Sequence, residues 1–238
     1  MSVLQKARQY TVKNAATVCN VEQIGDDLVH VVAEVAQPDL SWSPGQAVAI
    51  KIEPGATKMR LRWRHYTVRS CDPATGAIEF VMALHDRTTA AARFIMRLEP
   101  GTAFTFMGPG GSPVLQHDAD SYLFVGDRTS VASIAAMLDA LAPAAPQTKV
   151  IIATPHPDEA QLPSTHPHDV RWLPAADAAE TKEVTLAALP EHVSSDTRAY
   201  VTGEMNTMRA VRSALQQAGV SRRRIGCVAH WTPDRQAM

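Results

Sequence analysis

The stretch KMRLRWRHYTVR (58–69) places Lys58, Arg60, Arg62, Arg64 and Arg69 within twelve residues, with no acid among them. Side chains of an extended strand alternate between faces. Arg64, Tyr66 and Val68 therefore share one side, and His65, Thr67 and Arg69 share the other. An aromatic ring beside guanidinium groups can stack on a flat ring while a guanidinium forks onto a phosphate. The same run also reads as a basic edge strand, whose charges keep a sheet edge from pairing with another chain. Local sequence leaves both readings open.

Outward from this run, the first half of the chain reads as short strands at 17–24, 28–35, 46–52, 64–70, 78–84 and 103–106. Turn chemistry separates them: Gly25-Asp26-Asp27, Ser43-Pro44-Gly45, Pro54-Gly55, the 72–76 segment DPATG and Pro100-Gly101. Strands at this spacing suggest an antiparallel β-barrel. The Ala-rich 89–98 segment lacks Gly and Pro and is expected to form one short helix. Gly108-Pro109-Gly110-Gly111 is expected to be the turn connecting two domains.

The second half alternates strand and helix. Strands are expected at 122–125, 149–153, 170–173, 199–202 and 225–230. One helix carries Val131, Ile134, Ala135, Leu138 and Leu141 at helical spacing. A second carries Met205, Met208, Val211 and Leu215, and 185–189 reads as a short helical piece. Strands that are apolar throughout argue for a parallel sheet covered on both faces. The fold expected is thus two-domain, an antiparallel β-barrel over 1–116 followed by an α/β parallel-sheet domain over 117–238.

Composition narrows the function classes. With 238 residues, 45% hydrophobic and 20% charged, the chain is long enough for one to two domains and too apolar for wholesale disorder. The formal net charge of −1 gives no reason to expect nucleic acid or an anionic membrane as partner. Apolar runs such as VHVVAEVA (29–36) are far short of a membrane span, and MSVLQKARQY lacks a secretory apolar core. Cys19, Cys71 and Cys227 are scattered and form neither a zinc pattern nor a disulfide framework. A cytoplasmic protein with reduced thiols and no metal site is expected. His156, His166 and His168 read as loop histidines, and Arg222-Arg223-Arg224 as a solvated turn. No nucleophile elbow, Walker loop or paired catalytic carboxylates stand out.

Four motifs in order carry a family resemblance. RHYTVR (64–69) resembles the flavin-binding RxYT/S motif of the ferredoxin-reductase superfamily, and more narrowly that of siderophore-interacting proteins, FAD-dependent ferric-siderophore reductases. LHDRTTAAARF (84–94) occupies the place of that family's His-Gly loop. VGDRTSVASI (125–134) resembles its GDETALPAI segment. YVTGEMNTMRAVRSALQQAGVSRRRIGCVAHW (200–231) resembles its AGE-plus-helix segment and closing aromatic strand. The chain departs from the family pattern at Asp86, Thr89 and Ala90, where the family has Gly, Gly and Pro, and at Arg128, where it has an acid.

The resemblance implies an FAD site on Arg64, His65, Tyr66, Thr67 and Val68. Arg64 would meet the pyrophosphate, Tyr66 would stack on the isoalloxazine, and Thr67 would lie near the reactive N5 edge as the catalytic contact. His85 with Thr88, Thr89, Ala90, Ala91 and Ala92 would approach the diphosphate. Asp127 and Thr129 lie at the first strand-to-helix turn of the α/β half, where such sheets bind ligands. Gly203 and Glu204 would stand beside the nicotinamide–flavin contact, though Glu204 also reads as a favourable helix start. Trp231 would cover the flavin or pack on the barrel. Lys58, Arg60 and Arg62 are expected to attract an anionic ferric siderophore.

The implied activity is electron transfer from NADH or NADPH through FAD to ferric-siderophore iron, with a small redox protein as an alternative donor. Asp158 and Glu159, with no nearby base, favour NADH over NADPH. Two rivals share these motifs: a flavin or ferredoxin-type reductase with another acceptor, and a degenerate non-enzymatic member of the fold.

Overall fold

The computed structural model describes residues 13–36, 41–52, 63–84, 87–111, 113–141, 147–190 and 193–233. They fall into two compact units, divided after Gly111.

The first unit is a seven-stranded antiparallel sheet built from β1 (Lys13–Ile24), β2 (Leu28–Val35), β3 (Ala47–Lys51), β4 (Trp63–Thr67), β5 (Ser70–Asp72), β6 (Ala77–Ala83) and β7 (Ala103–Gly110), in the order β4-β3-β7-β1-β2-β6-β5. Period-two patterning sets its inner face. Val29, Val31, Ala33 and Val35 of β2 are buried at every second position. They pack with Ile50, Phe80, Phe104 and Phe106 in one apolar core. Gly25, at φ 56°, makes the tight β1–β2 turn that Ile24↔Leu28 pairing requires.

The two edges of this sheet, β4 and β5, are neighbours in sequence. The expected strand 64–70 is divided there. Val68, 0% exposed, donates its N–H to the Gln46 carbonyl at 3.0 Å, whereas Arg69 donates to Glu79 at 2.8 Å. Successive residues thus bond to opposite edges, and the ribbon closes the sheet into a barrel. The Gly108–Gly111 turn is also corrected. Strand β7 continues through Gly110, which pairs with Ala47, and a Cβ on Gly108 (φ 106°) would lie 3.2 Å from the Ala47 carbonyl oxygen. The helix α1 (Ala90–Met96) forms where expected and inserts Ala92, Phe94 and Ile95 into the barrel core.

Segment 113–116 is tied to the second unit. The Gln116 N–H donates to the Tyr200 hydroxyl at 2.7 Å, and the Tyr122 hydroxyl donates to the Gln116 carbonyl at 3.0 Å. That unit holds β8 (Tyr122–Asp127), α2 (Val131–Leu141), β9 (Thr148–Thr154), β10 (Val170–Pro174), α3 (Ala178–Ala188), β11 (Arg198–Glu204), α4 (Met205–Gln217) and β12 (Ile225–Trp231). Its five strands are all parallel, in the order β10-β9-β8-β11-β12.

Leu123, Val125 and Val201 face a core shared with Ala188, Val211 and Leu215 of α3 and α4. Helix α2 lies on the opposite face, since a Cβ on Gly126 would strike Ser130 and Ile134. Helix α3 is longer than the expected 185–189 piece. Asp177 caps it, accepting from Ala179 and Glu180 at 2.7 and 2.9 Å, while Glu180 reaches back to the Ala176 N–H at 2.8 Å. This departs from a capping box by one residue, since Glu180 accepts from the residue before the cap and not from Asp177 itself; the sequence still carries the pair as Asp-Ala-Ala-Glu.

At the amino ends of the strands, Arg198 grips Asp118 through Nε and Nη2 at 2.5 and 2.6 Å, and Arg224 reaches the Asp196 carbonyl at 3.0 Å. Among the described residues no helix is long and apolar enough to cross a membrane.

Candidate functional site

In the barrel unit the site residues gather on β4. Antiparallel register sets Arg64 opposite Ile50 and Tyr66 opposite Val48, so both take the face of those core residues. Thr67 and His65 take the other face, opposite Ala47 and Ala49. Tyr66 packs its ring against the barrel core, and its hydroxyl is buried with no hydrogen-bond partner among the described residues. Burial pushes this phenol well above its ordinary range, against a weaker downward pull from Arg64. The Arg64 guanidinium donates to the Trp63 carbonyl at 3.1 Å. Val68 is wholly enclosed and acts as core.

A buried phenol with unmet hydrogen-bonding capacity, sharing a strand face with a guanidinium, fits a ligand that offers a planar ring and phosphate or hydroxyl oxygens. FAD is such a ligand, and the donor set suits it.

At the start of α1, Thr89 is the N-cap and its hydroxyl accepts from Ala92 N–H at 3.1 Å. Arg93 donates to the Thr88 carbonyl. Ala90 and Ala91 pack against the barrel core. The stretch from Thr88 to Ala92 is therefore a capped helix start. His85 and Asp86 lie outside the described residues, as do Lys58, Arg60 and Arg62.

In the α/β unit the chain runs from β8 outward to β9 and β10, then crosses to β11 and β12. The strand order reverses between β8 and β11, and their carboxyl ends form the usual ligand crevice of an open sheet. Asp127 and Glu204 end these two strands and are 5% and 1% exposed. Asp127 Oδ1 accepts from the Thr129 N–H at 2.8 Å, and the Thr129 hydroxyl also donates to it. Its Oδ2 accepts from Glu204 N–H at 2.8 Å and from the Trp231 indole N–H at 2.9 Å. Glu204 caps α4, accepting from Asn206 and Thr207 N–H at 2.8 and 2.7 Å.

Gly203 is required here. Its φ is +113°, and a Cβ would stand 2.5 Å from Asp127 Oδ2. Asp127, Thr129, Gly203, Glu204 and Trp231 are thus brought together, with Trp231 tied to Asp127 within this unit.

His230 belongs to the same network and was not among the expected residues. Its Nδ1 donates to the Thr129 carbonyl at 3.1 Å and lies 3.1 Å from the Thr129 hydroxyl. Burial holds its imidazole below the ordinary value, with Asp127 and the Thr129 carbonyl pulling back upward. Adjacency to Trp231 on the closing strand was the available signal. Among the described residues no cluster of three or more His, Cys, Asp or Glu could hold a metal ion, and Cys19, Cys71 and Cys227 are free thiols.

Two family models match the chain. Residues 16–113 match the siderophore-interacting FAD-binding domain, and residues 119–234 match the siderophore-interacting protein model. The chain belongs to the siderophore-interacting protein family. Ferric vibriobactin reductase ViuB of Vibrio cholerae is 22% identical over 239 residues, covering 94% of this chain and 86% of that protein.

Among solved structures, the siderophore-interacting protein from Acinetobacter baumannii superposes with a TM-score of 0.78 at 18% identity, covering 94% of this chain and 92% of that one. The ferredoxin reductase in carbazole 1,9a-dioxygenase gives 0.74 at 21% identity, covering 92% and 67%. At these identities structural likeness establishes the ferredoxin-reductase-like fold: an antiparallel barrel followed by a five-stranded parallel sheet.

Proposed function

We propose that the chain is an FAD-dependent reductase of ferric siderophores. The observation that carries this reading is the shared face of Arg64 and Tyr66, with its unmet buried hydroxyl, inside a unit that matches an FAD-binding domain. When bound, FAD would supply the redox chemistry, linking an external reductant to single-electron reduction of chelated ferric iron. Arg64 would hold the diphosphate, a role for which a guanidinium is suited. Tyr66 supports the ring system, and its hydroxyl donates to a polar atom of the same molecule. Thr67, the last residue of β4, would offer its hydroxyl to the flavin.

Lys58, Arg60 and Arg62 raise the local concentration of an anionic ferric chelate by long-range attraction. Reduction loosens the hard, oxygen-rich chelate because ferrous iron is softer and carries less charge. This chemistry needs little acid–base machinery from the protein. The resemblance to ferric vibriobactin reductase supports a chelated ferric acceptor.

The test uses purified protein loaded with FAD, reduced anaerobically by dithionite freed of excess, then mixed with a ferric siderophore and a ferrous trap. Oxidation of the flavin with matching appearance of trapped ferrous iron is expected. A reduced flavin that persists beside the ferric chelate overturns the proposal.

A further inference from the structure

We infer that the crevice at the carboxyl ends of β8 and β11 does not seat the pyrophosphate of a nicotinamide dinucleotide, because Asp127 and Glu204 already occupy its anion positions. In open parallel sheets a ligand phosphate is held there by free backbone N–H groups at a helix N-terminus and by the helix dipole. In this chain four of those groups are already bonded. The Thr129 and Glu204 N–H groups go to Asp127, and the Asn206 and Thr207 N–H groups go to Glu204, all at 2.7–2.8 Å.

Both carboxylates are buried, so neither is a surface acid that swings into solvent when an anion arrives. Asp127 is further pinned by the Trp231 indole. The glycine that lets backbone approach a phosphate in such crevices is present as Gly203. The space above it, however, is filled by Asp127 Oδ2, 2.5 Å from where a Cβ would stand. An incoming pyrophosphate would have to displace one buried carboxylate and settle its charge beside the other.

Asp127 and Glu204 are thus specificity-determining residues that close this subsite. Reduced nicotinamides then reach the flavin by collision alone, whether or not they carry phosphates. The consequence for electron supply rests on the flavin-reductase reading; the closed subsite does not.

The test is calorimetric titration of the full-length, flavin-loaded protein with ADP-ribose, which carries the pyrophosphate and no redox group. No saturable binding is expected up to about 5 mM, and saturable binding within that range overturns the inference. Glu204→Ser keeps a capping hydroxyl on α4 while removing charge and bulk. It is expected to bind ADP-ribose at least about tenfold more tightly than the parent, and an equal lack of binding would remove the carboxylate as the cause.

A kinetic arm compares NADH with 1-benzyl-1,4-dihydronicotinamide, which has no phosphate. Linear dependence of flavin reduction on concentration is expected for both, and saturation by NADH alone contradicts the closed subsite. The ferric-chelate assay with dithionite as reductant bypasses any donor site, so a failure of the reductase reading shows there separately.

Discussion

Tyr66→Phe separates the two roles assigned to one side chain. The substitution keeps the ring against the barrel core and removes only the hydroxyl, which is buried without a partner among the described residues. A buried polar group left unpaired costs about 1–3 kcal/mol relative to a satisfied one. In flavin-free protein, deleting the hydroxyl should therefore raise stability or leave it unchanged. With FAD bound, the same deletion removes a hydrogen bond. Coupling of about 1–2 kcal/mol between hydroxyl and cofactor corresponds to a roughly 5–30-fold rise in the FAD dissociation constant. The assay pairs thermal denaturation of flavin-stripped protein with titration of FAD fluorescence quenching, for parent and variant. Raised or unchanged melting without flavin, together with weaker FAD binding, is expected. A variant that melts lower without flavin and binds FAD as the parent does would refute the reasoning, because the hydroxyl would then have an internal partner.

Gly203→Ala forces an L side chain into φ +113° and against Asp127 Oδ2 at 2.5 Å, and should destabilise the α/β unit by about 3 kcal/mol, read as a lowered melting transition. Lys58→Glu combined with Arg60→Glu should slow reduction of anionic ferric chelates, with the deficit largest at low ionic strength. Equal rates at all salt concentrations would dismiss the steering role. His230, held below its ordinary value by burial, keeps its neutral form in the fold. Below an unfolded value of about 6.5 the unfolded chain takes up the proton first. The stability contributed by this group is therefore complete above that pH and is lost as pH falls through the lowered folded value. Melting temperature should drop from neutral toward acid pH, and His230→Gln should flatten that slope.

The barrel was legible wherever burial alternated strictly, as in 28–35, because a half-buried strand writes its inner face at every second residue. The end of the β4 strand was not. Arg64 through Ser70 is uninterrupted by Gly or Pro, and only the opposite bonding of Val68 and Arg69 shows that the chain changes edges there. Helix α3 was under-read because its apolar residues start late, although Asp177 and Glu180 carried the start signal.

At the candidate site, local sequence placed Arg64 and Tyr66 on one strand face and Gly203-Glu204 at a strand end. It did not reveal that Asp127 would fill the space above Gly203, since the two residues are far apart in the chain and meet only in the folded sheet. His230 was missed for the same reason: its partner, Thr129, lies in the turn after another strand.

The most direct test of the central claim follows the protein after FAD loading, anaerobic reduction and addition of one ferric siderophore with a ferrous trap. The account predicts that the yellow colour returns as two trapped ferrous ions form per flavin, since each ion takes one electron. Protein that binds no FAD, or colour that fails to return while the chelate stays ferric, would contradict it.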